Sequence, residues 1–224
     1  MHRDLWAGIR DSVPINVGIV PFAMIVGISA VEAGLSVEQA VGMSFVVFAG
    51  ASQLAAIELL GETAPLLVVV GTAVIINLRM VMYSASIAPY FERYRGRIRA
   101  TLAYFLTDQA YAMSVAEFAD NDDRDRMRYY LGLGGTIWAV WMVGTAAGAI
   151  LGAAVPPELE LSFAVPLVFL AILVPAMKDR PTTAAAVVGG GGALVAAGVP
   201  FNLGLLVGAS LGILSGLTLE WRAA

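Results

Sequence analysis

Apolar runs of membrane-spanning length recur along the whole of this 224-residue chain, and that repetition limits the fold more than any other feature. A run of about 20 residues crosses a hydrocarbon core of about 30 Å as a helix. Lipid offers no partner to an exposed backbone N–H or C=O, so helices are favoured over open strands. The alternating segments of about 10 residues that a membrane barrel needs do not occur. An apolar content of 59% with 13% charged residues agrees with this reading. We therefore expect an all-α membrane protein, a polytopic bundle of about seven or eight transmembrane helices, some broken by Pro or Gly. Residues 1–224 are expected to form one integral domain, crossing the cytoplasmic membrane several times and surrounded by lipid bilayer.

Hydropathy and turn signals place the segments at 13–34, 39–60, 64–91, 99–119, 128–154, 161–177, 182–199 and 202–219. The first follows Arg3 and Arg10 as a signal peptide would, but it is too long for one and carries internal Pro and Gly, so it reads as a retained span. With the N-terminus inside and eight crossings, most basic residues fall on the inner side. Arg93, Arg95, Arg97 and Arg99 then lie outside, although they form the most basic loop of the chain. Either one early segment is re-entrant, giving seven spans, or the orientation is reversed.

Several chemistries are excluded by residue type. There is no cysteine, the only histidine is His2 and the only lysine is Lys178. Thiolate metal sites, a deep Ser/His dyad and a P-loop are therefore absent, and an enzyme is disfavoured. No cofactor, metal or nucleic acid is expected. The net charge of −4 resides in loops.

Two opposite charges interrupt the apolar pattern at matching depth. Arg79 lies about 12 residues, or roughly 18 Å, inside its segment, too deep for its side chain to reach water along the helix. A charge at that depth costs roughly 2.5–3.5 kcal/mol, so it faces a partner or a wet cavity. In an antiparallel hairpin turning near Tyr94, Asp108 lies within about 3 Å of the level of Arg79. Thr72, Tyr83 and Ser86 share the face of Arg79, and Tyr104 and Tyr111 that of Asp108, by helical spacing. Such a pair can instead do no more than fix hairpin register.

In the first segment Pro21 predicts a kink or break beside Gly18. Broken helices in transporters present half-helix N-termini to anions; ordinary kinks are the plainer reading. In the second, Gly50, Ser52 and Gln53 supply small residues and an amide at mid-depth, suited either to close packing or to binding. Glu32, Glu58 and Glu117 read as solvated ends, and the run Gly189 to Gly192 as a helix-packing surface.

The series Pro21-Phe22, Phe48-Ala49-Gly50-Ala51-Ser52-Gln53, Asn77-Leu78-Arg79, Thr107-Asp108, and Phe163 through Asp179-Arg180 resembles the large subunit of the AzlC-type branched-chain amino acid exporters. The resemblance implies a secondary transporter that exports branched-chain or related small amino acids by alternating access, driven by an ion gradient such as protons. It also implies a small multispanning AzlD-type partner subunit. Met80 and Gln109 stand where the pattern commonly carries histidine and glutamate, so two titratable groups are missing. The candidate substrate-binding or coupling residues are Arg79, Asp108, Asn77, Gln53, Ser52, Gly50, Pro21, Gly18, Thr107 and Gln109. A guanidinium favours the ionised carboxylate beside it, so substrate ammonium or a proton is expected to replace Arg79 at Asp108 in one access state. An uncoupled channel, and an assembly subunit with no substrate site, are the alternatives.

Overall fold

The computed structural model describes residues 3–121, 123–154, 173, 177, 179–198 and 203–223. The chain divides into two compact units, Met1–Val165 and Pro166–Ala224. In the first, α1 (Arg3–Glu32), α4 (Leu66–Ile87, continued by a 3-10 turn Ala88–Phe91) and α7 (Arg126–Ala154) are long and apolar enough to cross a membrane. They are the three such helices among the described residues.

Glycine sets the packing of α1 on α7. A Cβ at Gly8 would strike the carbonyl of Tyr129, at Gly27 that of Thr145, at Gly132 that of Leu5 and at Gly148 that of Met24. The two backbones are thus nearly in contact, as small residues permit between membrane helices. Leu5 lies at Gly132, Met24 at Gly148 and Ile28 at Gly152, so the helices run parallel. The end of α1 bearing Arg3 is called the near face below, and the end bearing Glu32 the far face. α1 continues unbroken through Pro14 and Pro21. The break expected at Pro21 does not occur, because α7 clamps α1 on both sides of the one missing hydrogen bond.

The breaks fall elsewhere. Segment 39–60 divides into α2 (Val37–Val46) and α3 (Gly50–Gly61). α2 starts at the far face under a Ser36/Gln39 capping box and ends in Phe45-Val46-Val47-Phe48, β-branched and aromatic residues that lose side-chain freedom in a helix. α3 then returns, since Gln53 donates to Ser44 of α2 at 2.8 Å and a Cβ at Gly61 would lie 3.4 Å from that of Ala33. Both ends of this hairpin are therefore at the far face, and it does not cross.

Segment 99–119 is likewise two half-helices, α5 (Gly96–Tyr104) and α6 (Asp108–Asp120), and it dips in from the near face. α5 rises beside α7, with Phe105 against Gly134 and the Trp138 indole donating to the Tyr104 hydroxyl at 2.9 Å. α6 descends beside α4, from Asp108 at Arg79, through Tyr111 stacked on Tyr83 at 4.6 Å, to Phe118 against Tyr90 and Phe91. Thr107 caps α6 by accepting the Ala110 N–H at 3.2 Å. Threonine and aspartate compete for backbone donors in this way, which starts a new helix in place of extending the old one. At the near face Arg124 bridges Asp4, at 3.2 Å, to Glu117, and the Tyr129 hydroxyl donates to Asp11. Glu117 is an ion-pair partner and not a solvated end.

Two of the expected crossings are thus re-entrant hairpins that enter from opposite faces. One re-entrant segment would leave α1 and α7 antiparallel; none or two leave them parallel, as observed, and the contacts of the two hairpins decide for two. Hairpin plus span (α2, α3, α4) is followed by an inverted hairpin plus span (α5, α6, α7), the arrangement of inverted-topology repeats. The conflict over the arginine loop disappears, since Arg93, Arg95, Arg97 and Arg99 join Arg3, Arg10, Arg124, Arg126 and Arg128 at or close to the near face.

In the second unit α8 (Arg180–Val195) and α9 (Leu203–Ala223) form an antiparallel pair. Gly189 and Gly192 meet Gly208, and Gly204 meets Ala196, so the glycine run is a packing surface. Asp179 caps α8 in a box with Thr182, and the backbone N–H and hydroxyl of Thr182 hold its carboxyl below the ordinary range. The expected segment 161–177, with Phe163, lies outside the described residues except for Leu173 and Met177.

The topology is open to accessibility labelling, because the chain has no cysteine to remove. Leu35→Cys and Glu62→Cys are expected to label from one side of the membrane, and Glu92→Cys and Asn121→Cys from the other. Alternation from loop to loop would restore the eight-crossing arrangement.

Candidate functional site

The tips of the two hairpins meet. Phe48, Ala49, Gly50 and Ala51 from the first, and Thr107, Asp108 and Gln109 from the second, line one cavity of about 140 Å³. Ile19 and Phe22 of α1, Arg79 and Met80 of α4, and Ile137 and Trp141 of α7 complete it. A cavity near 150 Å³ holds a molecule of benzene size, so this one suits a ligand of a few heavy atoms. Irregular backbone at membrane depth is tolerated where it lines such a cavity.

Arg79 and Asp108 pair across it, with Nη1 to Oδ2 at 3.1 Å and side chains about a third exposed, at 34% and 37%. The pairing arises from parallel helices, α4 and α6, and not from the antiparallel hairpin that the spacing suggested. The bond is single. Arg79 Nε and Asp108 Oδ1 are buried and have no hydrogen-bond partner among the described residues. Each residue of the pair thus keeps one buried polar atom without a partner, and both residues line the cavity. The Tyr83 hydroxyl also lies close enough to Asp108 to interact with it, while Tyr111 donates to Ser86 at 2.9 Å. Tyr104, expected on the same face as Asp108, is cut off by the break at 105–107 and binds the Phe45 carbonyl at 2.6 Å.

Both half-helices point their N-termini at this space. α3 begins at Gly50 with no side-chain cap, so its first-turn N–H groups are unclaimed by side chains. An N-terminus of this kind attracts an anion. At α6 the positive end is already opposed by Asp108 in its first turn. The anion-seeking end is therefore that of α3, together with Arg79, and the cation-seeking group is Asp108. Gly50 is required by close approach, since a Cβ there would lie 2.5 Å from Trp141 and 2.6 Å from Phe22.

The remaining candidates separate into support and bystanders. Gln53 does not line the cavity. It is fully buried, with Nε2 donating to Ser44 at 2.8 Å and Oε1 accepting the Trp141 indole N–H at 3.2 Å, while Ser44 donates on to Thr145. It positions Trp141. Ser52 is buried and donates to the Ala49 carbonyl while accepting from Asn77 at 2.9 Å, which ties the tip of α3 to α4 two residues before Arg79. Gly18 sits on an exposed face with nothing within 4 Å of a Cβ, and Pro21 is not in the lining. Neither lines the cavity, although Gly18 lies one turn from Phe22, which does. Ile19, Phe22, Phe48 and Trp141 were not picked out as site residues from sequence. Trp141 alone carried a signal, as an indole deep in a span and away from the interfacial belts where tryptophan gathers.

Long apolar helices, two opposed helical hairpins and a small charged cavity at their tips define a helical membrane protein. The AzlC protein family model matches residues 14–155, and the chain belongs to that family. It is 27% identical to the inner membrane protein YgaZ of Escherichia coli over 97% of this chain and 91% of that one. It is 33% identical to an uncharacterized membrane protein of Archaeoglobus fulgidus over 93% and 88%. It is 27% identical to the branched-chain amino acid transport protein AzlC of Bacillus subtilis over 80% and 72%. No solved structure matches.

Gln53→Leu is expected to leave Ser44 and the Trp141 N–H short of a buried partner, at about 1–3 kcal/mol for each. A lower unfolding midpoint in detergent checks this. An unchanged midpoint would show that the network does not support the site.

Proposed function

We propose that the cavity binds one small zwitterionic amino acid, branched-chain or closely related, and that the protein exports it across the cytoplasmic membrane by alternating access. The observation that carries the reading is the single-bonded pair Arg79–Asp108 with Arg79 Nε and Asp108 Oδ1 left unpartnered. An amino acid supplies a carboxylate for the first and an ammonium for the second. Its carboxylate also faces the uncapped end of α3, and its side chain meets Ile19, Phe22, Ile137 and Trp141. The name of the B. subtilis relative agrees with that substrate class.

Binding at the bilayer midplane between inverted repeats is the common arrangement of secondary transporters. The arginine-rich near face is cytoplasmic on this reading, because basic residues concentrate on the inner side. Coupling to an ion gradient follows if Asp108 exchanges partners: Arg79 in one access state, substrate ammonium or a proton in the other. Met80 and Gln109 line the same cavity and cannot titrate, which leaves Asp108 as the one carboxylate in its lining. A small multispanning AzlD-type subunit is the proposed partner.

Counterflow of labelled valine in proteoliposomes tests this. Wild-type protein exchanges substrate with saturation, which a channel does not. Asp108→Asn is expected to reduce exchange by at least about tenfold, the scale of one charge-assisted bond, and to flatten its pH dependence. Wild-type exchange with unchanged pH dependence in that variant would remove the proposal.

A further inference from the structure

A second cavity lies toward the near face on three of the elements that line the first, namely α4, α7 and the break between α5 and α6. It has a volume of about 410 Å³, and it is lined by Ser84 of α4, Ala103 of α5 and Tyr130 of α7, with Arg99 as the one charged group among its lining residues. α4 contributes Met80 to the upper cavity and Ser84 to the lower, one turn or about 6 Å nearer the arginine face. α7 contributes Ile137 above and Tyr130 below, about two turns apart. The break between α5 and α6 contributes Thr107 above and Leu106 below. On each of three elements, positions nearer the arginine face line the lower space and positions farther from it the upper. Leu106, 8% exposed, lines the lower cavity and is followed in the chain by Thr107, which lines the upper.

We propose that the lower cavity is the entry subsite by which the small anionic or zwitterionic substrate approaches from the near face, and that Leu106 is the barrier separating it from the upper site. Its volume exceeds that of the upper cavity, as an entrance should, and its guanidinium stands on the first turns of α5 beside the arginine loop, where a carboxylate arriving from that side meets it first. On the first hairpin the chain next to the upper cavity is buried, with Phe48 8% exposed in its lining and Ser52 and Gln53 fully buried. On this reading the substrate path runs to the arginine side, with Leu106 between the two spaces. The substrate class in this inference rests on the function proposed above; the path and its barrier do not.

Single cysteines in the full-length protein, reconstituted in liposomes, test it with a small anionic methanethiosulfonate sulfonate reagent. Ala103→Cys is expected to react from the near face at once, and more slowly when Arg99→Gln is added, an effect absent with the cationic counterpart of the reagent. Ile19→Cys, in the upper cavity and 6% exposed, is expected to react slowly, and at least tenfold faster when Leu106→Ala is added. Leu106→Val gives an intermediate rate and serves where the alanine variant does not fold. Reaction of Ala103→Cys only from the far face, or a rate at Ile19→Cys indifferent to both Leu106 variants, would overturn the proposal. Valine is expected to protect Ile19→Cys in the opened variant. If Leu106→Ala opens access and valine gives no protection, the vestibule stands and the amino-acid reading of the upper site falls.

Discussion

A helix that stops halfway through a bilayer exposes backbone groups that lipid cannot satisfy, and the first unit of this protein contains two such stops, at 47–49 and 105–107. Most of its architecture follows from enclosing them. The parallel contact of α1 and α7, made over glycines, forms a wall against which both hairpin tips pack, through Phe22 and Trp141 for the first and Ile137 for the second. Ser44, Gln53, Thr145 and Trp141 then satisfy the polar groups around the first tip, and the Thr107 cap does so at the second. The cavity is the space those groups leave, lined by the two charges that are costly anywhere else at this depth.

The functional weight of the Arg79–Asp108 pair comes from its incompleteness. A buried pair whose hydrogen-bonding capacity is fully used would serve only register. Here one ion-pair contact is made at 3.1 Å, while a buried donor of Arg79 and a buried acceptor of Asp108 have no partner among the described residues. Asn77 holds the tip of α3 to the helix that carries Arg79, so a shift of either hairpin changes both the ion pair and the half-helix end that faces the same ligand. In the proposed function, that linkage couples movement of a hairpin to the groups that hold the substrate.

Composition and hydropathy sufficed for the helical membrane class, and the depth of Arg79 and Asp108 sufficed to pair them. The directions of the helices were not legible. An apolar run of 22 residues reads the same whether it crosses or turns back, because both forms are surrounded by apolar groups. Pro21, the loudest break signal, is silent where α7 clamps α1, whereas Phe45-Val46-Val47-Phe48 and Thr107-Asp108 are quiet signals that prevail because the tips they form are enclosed. The arginine loop at 92–99 was the one sequence feature that conflicted with eight crossings, and it conflicted for the right reason. Gln53 was seen as polar at the right depth, but its role in holding Trp141 depends on contacts 88 residues apart.

The central claim is that a guanidinium and a carboxylate divide a zwitterion between them, and equilibrium binding to the purified protein tests it most directly. Labelled valine is competed with isovalerate, which lacks the ammonium, and with isobutylamine, which lacks the carboxylate. Each is expected to bind at least about tenfold more weakly than valine, the cost of one charge-assisted bond, and Arg79→Gln is expected to abolish the distinction between valine and isobutylamine alone. Equal binding of all three ligands, or an Arg79→Gln variant that discriminates as the wild type does, would contradict the account.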